Sequence, residues 1–243
     1  VMNKTITYKN YEIEFHNLLN KGNNVDKHIL NNSLYNRSDH DYDTVLKMLK
    51  KDSVVYDIGS YIGSYAIPMV LEGMQVVAFE GYPDNYRRNI LNTNKYDNIK
   101  VYGVAVSDEN KTVFTKFNDC TDLEPEARQI TYVRLDDFMQ EHNLQKPDLV
   151  KLDIEGMETV ALFGMKNLLE NIRPIWHIGY HPTVEEKYEH YPGFVPVQEG
   201  GFDFDKFRDE LDYAVFCYKS GRYVATFSDF GEYLCIPKER ITT

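Results

Sequence analysis

VVYDIGSYIGSY, residues 54–65, is the stretch on which the fold turns. Val54, Val55 and Ile58 supply strand-forming apolar surface, and Asp57 falls near the strand's carboxyl end. Gly59 and Gly63 then flank Ser60, Tyr61 and Ile62 as a helix begins. Small residues at such a turn let a ligand approach the backbone. A second strand, Val76-Val77-Ala78-Phe79, runs into Glu80, 21 residues after Gly59. At that separation a βαβ unit places an acid beside a ribose, so the pair points to a nucleoside-containing cofactor.

Outward from this stretch, strands and helices alternate. A helix is expected from about 63, another from Asp84, and strands over 100–106, 149–154 and 174–180. Met157, Val160, Ala161, Met165 and Leu168 share one helical face between the last two strands. This alternation implies an α/β fold with a doubly wound, mostly parallel, Rossmann-like sheet. Residues 107–146 read as an excursion with short strand-like pieces, Thr112–Phe117 and Ile130–Val133, around the acidic stretch 118–126. The tail, with Tyr213–Cys217, Tyr223–Phe227 and Tyr233–Ile236, reads as antiparallel strands turning at Ser220-Gly221.

Before the first strand, Tyr42, Val45, Leu46 and Leu49 recur at helical spacing and define a lead-in helix. Residues 1–50 are therefore expected to be a small N-terminal cap with that helix, and 51–243 the main domain. Within the cap, residues 26–42, including Tyr35, Arg37, His40 and Asp41, are expected to wall or cover the active site.

At 243 residues the chain can bury a core without staples. Its three cysteines, Cys120, Cys217 and Cys235, are odd in number and widely spaced, which indicates neither a disulfide framework nor a thiolate zinc site. With no apolar run long enough to span a bilayer and no signal-peptide pattern at the start, the expected home is the cytoplasm. A net charge of −11 argues against nucleic acid as the principal partner. The oligomeric state is not legible.

A dehydrogenase would show Gly-x-Gly-x-x-Gly after its first strand, where this chain has Asp-x-Gly-x-x-x-Gly. The spacing does not suit a pyrophosphate. S-adenosylmethionine has none, and its ammonium end needs a carboxylate or carbonyl that Asp57 can provide or organise. Glu80 would accept the ribose hydroxyls. The turn residues Gly59, Ser60, Gly63 and Ser64, with Gly81 after the second strand, complete the expected cofactor contacts. The backbone at Ala105 and Val106 would face the adenine.

DIGSYIGSY, AFEGYPDN, VYGVAVSDENKTVF, TYVRLDDF, DLVKLDIEGMETVALFGMKNLL and RPIWHIGYH resemble, in order and spacing, the FkbM-type S-adenosylmethionine-dependent methyltransferases. The resemblance covers about residues 40–181. Its most specific pieces are Leu135-Asp136-Asp137-Phe138 followed by Lys151-Leu152-Asp153-Ile154-Glu155-Gly156-x-Glu158. It implies the class I methyltransferase form of the fold, and methyl transfer to a hydroxyl oxygen, commonly on a sugar or glycosylated metabolite. The family's binding positions carry over to Asp57, Gly59, Gly63 and Glu80. Family members often have a glutamate where this chain has Gly179, which leaves that acid's task to His177, His181 or another residue.

Methyl transfer requires an aligned nucleophile and removal of its proton. Asp153 and Glu155 are expected where the fourth strand ends, and His177 and His181 on one face of the fifth. His181, nearer the carboxyl end, is favoured over His177 as general base, and Glu158 is given a structural role. Carboxylate and imidazole ligands with a sugar diol would suit magnesium or manganese, with Asp153 as first ligand, but no dedicated metal motif assigns one. Two other readings remain: a non-catalytic cofactor- or partner-binding domain of a larger glycan-assembly protein, and a nicotinamide-dependent oxidoreductase.

Overall fold

The computed structural model describes residues 2–19, 24–34, 43–115, 127–181, 204–219, 222–225 and 231–241. At its centre is an eight-stranded sheet. Five strands run parallel: β3 (Val54–Ile58), β4 (Gln75–Phe79), β5 (Ile99–Tyr102), β9 (Leu149–Leu152) and β10 (Ile175–Tyr180). Three antiparallel strands, β11 (Tyr213–Lys219), β12 (Arg222–Val224) and β13 (Gly231–Pro237), extend it, in the order β12-β11-β13-β10-β9-β3-β4-β5. From β3 the chain builds outward through β4 and β5, then returns to β3's other side with β9. That reversal makes the carboxyl ends of β3 and β9 the walls of a crevice, the place where open α/β sheets bind ligands.

Both faces of the central strands are buried, which is why they read as near-continuous apolar runs. Tyr56, Ile58, Val150, Leu152, Trp176 and Ile178 enter one cluster, and Val55, Leu149 and Ile175 enter the other. Along the second face the pattern changes toward the carboxyl end. Asp57, Lys151 and His177 stand abreast on β3, β9 and β10, one pleat beyond the apolar Val55, Leu149 and Ile175. A row of polar groups thus leads from the core to the crevice.

The N-terminal segment differs from its sequence reading. Residues Met2–Tyr8 (β1) and Tyr11–Leu18 (β2) form an antiparallel hairpin, followed by helix α1 (Asn24–Leu30). Ile6, Ile13, Phe15, Leu18 and Ile29 pack on Tyr61, Ile62 and Ile67 of the β3-to-helix connection. The alternation was masked by interleaved Asn, Lys and Glu, which face solvent. Tyr35, Arg37, His40 and Asp41 lie outside the described residues, and the lead-in helix, expected through Leu49, runs over 43–46 with Val45 buried and gives way to a turn at 47–48.

The expected helix from 63 begins after a longer turn, as α2 (Ala66–Leu71), and α3 runs Pro83–Thr93. The expected strand 100–106 is two: β5 ends at Tyr102, and β6 (Ala105–Val106) joins β7 (Lys111–Thr115) and β8 (Arg128–Val133) in a separate three-stranded sheet. Gly103 and Val104 break the run between them. Helices α4 (Leu135–Glu141), α5 (Glu158–Phe163) and α6 (Phe204–Asp209) follow, and the helical face expected from Met157 to Leu168 is interrupted at Gly164 before a π-helical segment, Leu168–Ile172. The acidic stretch 118–126 and the Ser220-Gly221 turn lie outside the described residues.

Candidate active site

The β3-to-α2 turn takes its shape from protein neighbours. Gly59 has φ +78°, and a Cβ there would lie 2.0 Å from the carbonyl oxygen of Asp153. At Gly63, φ +85°, a Cβ would meet Asn89 and Thr93 of α3 at 3.0 and 3.1 Å. The two glycines therefore permit close packing against the turn after β9 and against α3. Ser60 is equally tied in: its hydroxyl donates to the Phe79 carbonyl and accepts from Asn89 Nδ2. Ser64 is half-buried in the same turn.

Glu80, at the end of β4, is buried and accepts two backbone N–H bonds, from Tyr61 to Oε2 at 2.8 Å and from Tyr82 to Oε1 at 2.9 Å. Burial pushes its carboxyl up to about 7, against the pull of these two amides. The Asn85 side chain also bonds this carboxylate, and the two oxygens together keep acceptor capacity that a pair of ribose hydroxyls would use. Gly81 beside it lies against Ala105: a Cβ at Gly81 would sit 2.5 Å from the Ala105 Cβ. Ala105 and Val106 thus adjoin the end of β4, although they belong to the smaller sheet.

Asp57 is fully buried, and neither carboxylate oxygen accepts a hydrogen bond. Lys151 Nζ lies 3.5 Å from Asp57 Oδ1 and 3.7 Å from Asp153 Oδ2, and donates to the Gly59 carbonyl at 3.1 Å. Burial pushes the Asp57 carboxyl up while the Lys151 ammonium pulls it down. Of the two tasks expected of Asp57, this arrangement favours organising: it holds Lys151, which spans the β3 and β9 ends.

A network that the sequence reading missed secures the turn from behind. Asp26 of α1, 0% exposed, binds the Tyr61 hydroxyl and the Arg88 guanidinium through short bonds, and accepts from the Leu19 amide at 3.1 Å. Arg88 also donates to the Tyr61 hydroxyl at 3.0 Å. Asn92 accepts from the His16 amide and donates to the Ile62 carbonyl. The signal was present in α3: Asn85, Arg88, Asn89 and Asn92 recur at i, i+3, i+4, i+7 and are all buried, an amphipathic face with its polarity inverted.

On the other wall, the turn after β9 carries Asp153, Glu155 and Gly156 into α5. Glu158, 1% exposed, holds this turn by accepting from the amides of Ile154 at 2.8 Å and Gly156 at 3.1 Å. It also lies 3.4 Å from His181 Nδ1. His181 faces Asp153 at 3.8 Å and Glu155 at 3.9 Å as well. Burial works against charge on this imidazole, but the bond to Glu158 and the charges of Asp153, Glu158 and Glu155 outweigh it and raise it to about 9. An imidazole raised in this way holds its proton more tightly, and Asp153 is the carboxylate beside it.

His177 sits deeper. Its Nδ1 is 3.0 Å from the Tyr65 hydroxyl, its Nε2 3.1 Å from the Tyr223 hydroxyl, and Glu232 is 3.8 Å from Nε2. Both ring nitrogens are engaged within the protein. Gly179, directly across from Glu232 on β13, leaves room for Asp153: a Cβ there would lie 2.8 Å from Asp153 Cγ.

An acid at the end of β4, a glycine turn after β3 and a cluster of acid and imidazole groups beyond β9 and β10, on this strand order, define a class I methyltransferase fold. The chain belongs to the methyltransferase FkbM domain family, which it matches over residues 57–218. It is similar to the hexuronic acid methyltransferase AglP of Haloferax volcanii, with 27% identity over 136 residues, covering 53% of this chain and 56% of that one. The chain thus spans about half the length of that curated relative. Among solved structures, it superposes on the methyltransferase FkbM from Methylobacillus flagellatus with a TM-score of 0.50 and 18% identity, over 77% of this chain and 44% of that chain. No helix among the described residues is long and apolar enough to cross a membrane.

Proposed function

We propose that this chain is an S-adenosylmethionine-dependent O-methyltransferase whose acceptor is a hydroxyl of a saccharide or glycosylated small molecule. The observation that carries the reading is the placement of Glu80 and Asp153 on the two walls of one crevice, linked through Lys151 and the Gly59 turn. Support for a sugar acceptor comes from the similarity to a protein named for methylating a hexuronic acid. The net charge of −11 also disfavours a polyanionic nucleic-acid acceptor.

When bound, the cofactor supplies a methyl group on a sulfonium, already a good electrophile. Glu80 would receive the ribose hydroxyls, and the rigid turn from Gly59 to Gly63 would fix the distance between ribose and sulfur. Asp153 would accept the proton that the acceptor hydroxyl gives up on methylation. With no ion bound, the His181 imidazolium steadies Asp153 and Glu155. Lys151 holds Asp153 from the opposite side.

Incubation with methyl-labelled S-adenosylmethionine and a panel of sugars, with neutral and uronic acid members, tests the reading. Label on a sugar hydroxyl is expected. Tight cofactor binding without transfer to any acceptor would favour the non-catalytic alternative, and failure to bind the cofactor would overturn the reading altogether.

A further inference from the structure

Asp153 and Glu155 come from the turn after β9 and His181 from the end of β10. One ligand-capable atom of each lies within 4.8 Å of the other two. Two carboxylate oxygens and an imidazole nitrogen are a donor set that suits a divalent ion between the hard and borderline classes. In a six-coordinate Mg2+ or Mn2+ site neighbouring donors stand about 3 Å apart and opposite ones about 4.2 Å, so these three would draw in by about an ångström or more on binding. We propose that Asp153, Glu155 and His181 form a Mg2+ or Mn2+ site whose remaining positions take adjacent oxygens of the sugar acceptor. This inference rests on the methyltransferase reading for its acceptor, though the ion site stands on its own geometry.

The surroundings of the three residues fit that role. A metal-bound imidazole ordinarily directs its other nitrogen to a carboxylate, which fixes the ring. Glu158 stands in that place, 3.4 Å from His181 Nδ1, and is itself pinned by the Ile154 and Gly156 amides. His181 Nε2, 3.9 Å from Glu155, is then the nitrogen turned to the ion, and binding requires the imidazole to give up its proton. The two oxygens of Asp153 are divided: Oδ2 is turned to Lys151, and Oδ1 lies 3.8 Å from His181 Nδ1 and would swing toward the Nε2 side to reach an ion. One oxygen can therefore bind the ion while the other stays on the Lys151 side. Gly179 keeps the neighbouring strand position clear, since any side chain there would press on the Asp153 carboxylate. His177, which shares the strand face, is excluded as a ligand because Tyr65 and Tyr223 hold both its nitrogens.

The test is Mn2+ titrated into the metal-free full chain, with free Mn2+ read by electron paramagnetic resonance. A single saturable site is expected, lost in Asp153→Asn and in His181→Ala and retained in Glu80→Ala. Glu158→Gln should weaken it by about 10- to 100-fold, the usual cost of removing a carboxylate behind a ligating imidazole. Circular dichroism and a cooperative thermal transition, measured on the same variants, show that each is folded, and the exposed Glu155→Gln replaces any that is not. No saturable binding to the parent, or binding that survives both Asp153→Asn and His181→Ala, overturns the site. A parent that transfers methyl at full rate in the presence of chelator also defeats the site but leaves the methyltransferase reading intact. A parent that binds Mn2+ yet fails to bind S-adenosylhomocysteine defeats that reading instead.

Discussion

On the β3–β4 side of the crevice the charged side chains are sealed, with Asp57 and Asp26 0% and Arg88 8% exposed. On the β9–β10 side, Asp153, Glu155 and His181 are 38%, 51% and 26% exposed. The first wall is fixed by hydrogen bonds to backbone and by a buried ion pair. The second is an ionic cluster open to water. A sealed wall can hold a cofactor in one geometry without reorganising, whereas an open one leaves room for an acceptor to displace water and complete the site. The comparison can be broken from either side.

The largest expected effect lies behind the sealed wall. Arg88→Ala leaves Asp26 charged and buried without its guanidinium partner, and breaking such a pair costs about 3 to 5 kcal/mol. Chemical denaturation should show a loss of that size. Because Tyr61 donates its amide to Glu80 and its hydroxyl sits in the same network, affinity for S-adenosylhomocysteine should fall as well. A variant of unchanged stability would mean that the hairpin and α1 are not anchored to the turn through this pair.

Next in size is Glu80→Ala, which removes two charge-assisted bonds to ribose, worth about 2 to 4 kcal/mol of cofactor affinity. Calorimetry with S-adenosylhomocysteine measures it, and an unchanged dissociation constant would remove Glu80 from the cofactor site.

A smaller effect is expected with pH. Burial holds the Glu80 carboxyl up to about 7, above its ordinary value. The folded chain therefore keeps a proton that the unfolded chain has lost, and this group's contribution to stability falls as pH rises from the ordinary carboxyl value to about 7, then levels. Cofactor affinity should run the opposite way, rising through pH 7 by up to about tenfold per unit below it, as the carboxylate forms. Glu80→Gln should flatten this dependence. A parent profile that is already flat between pH 5 and 8 would show that Glu80 is ionised throughout.

The two walls were not equally legible in the sequence. Strand, turn and acid around residues 54–80 announced themselves because a parallel core strand is continuously apolar and its end is marked by glycine. The same is true of Lys151 through Glu158. What fills the missing Cβ positions of Gly59 and Gly63 is the turn after β9 and helix α3, and no local pattern reveals a neighbour from elsewhere in the chain. The N-terminal hairpin escaped because its outward residues are polar enough to hide the alternation. Asp26 and Arg88, far apart in sequence, showed no sign of pairing beyond the inverted polarity of α3. His181 was read correctly as lying beside Asp153, but its protonation depends on Glu158 and Glu155 meeting it in space, and spacing along a strand carries no such information.

The separation of a binding wall from a chemical wall is tested most directly by Asp153→Asn, with turnover and S-adenosylhomocysteine affinity measured on the same preparation. Loss of the proton acceptor should lower turnover by about 10²- to 10⁴-fold. The dissociation constant should stay within about threefold of the parent, because Asp153 is outside the Glu80 wall. Parallel loss of both would contradict the separation, and full turnover in the variant would remove Asp153 from the chemistry.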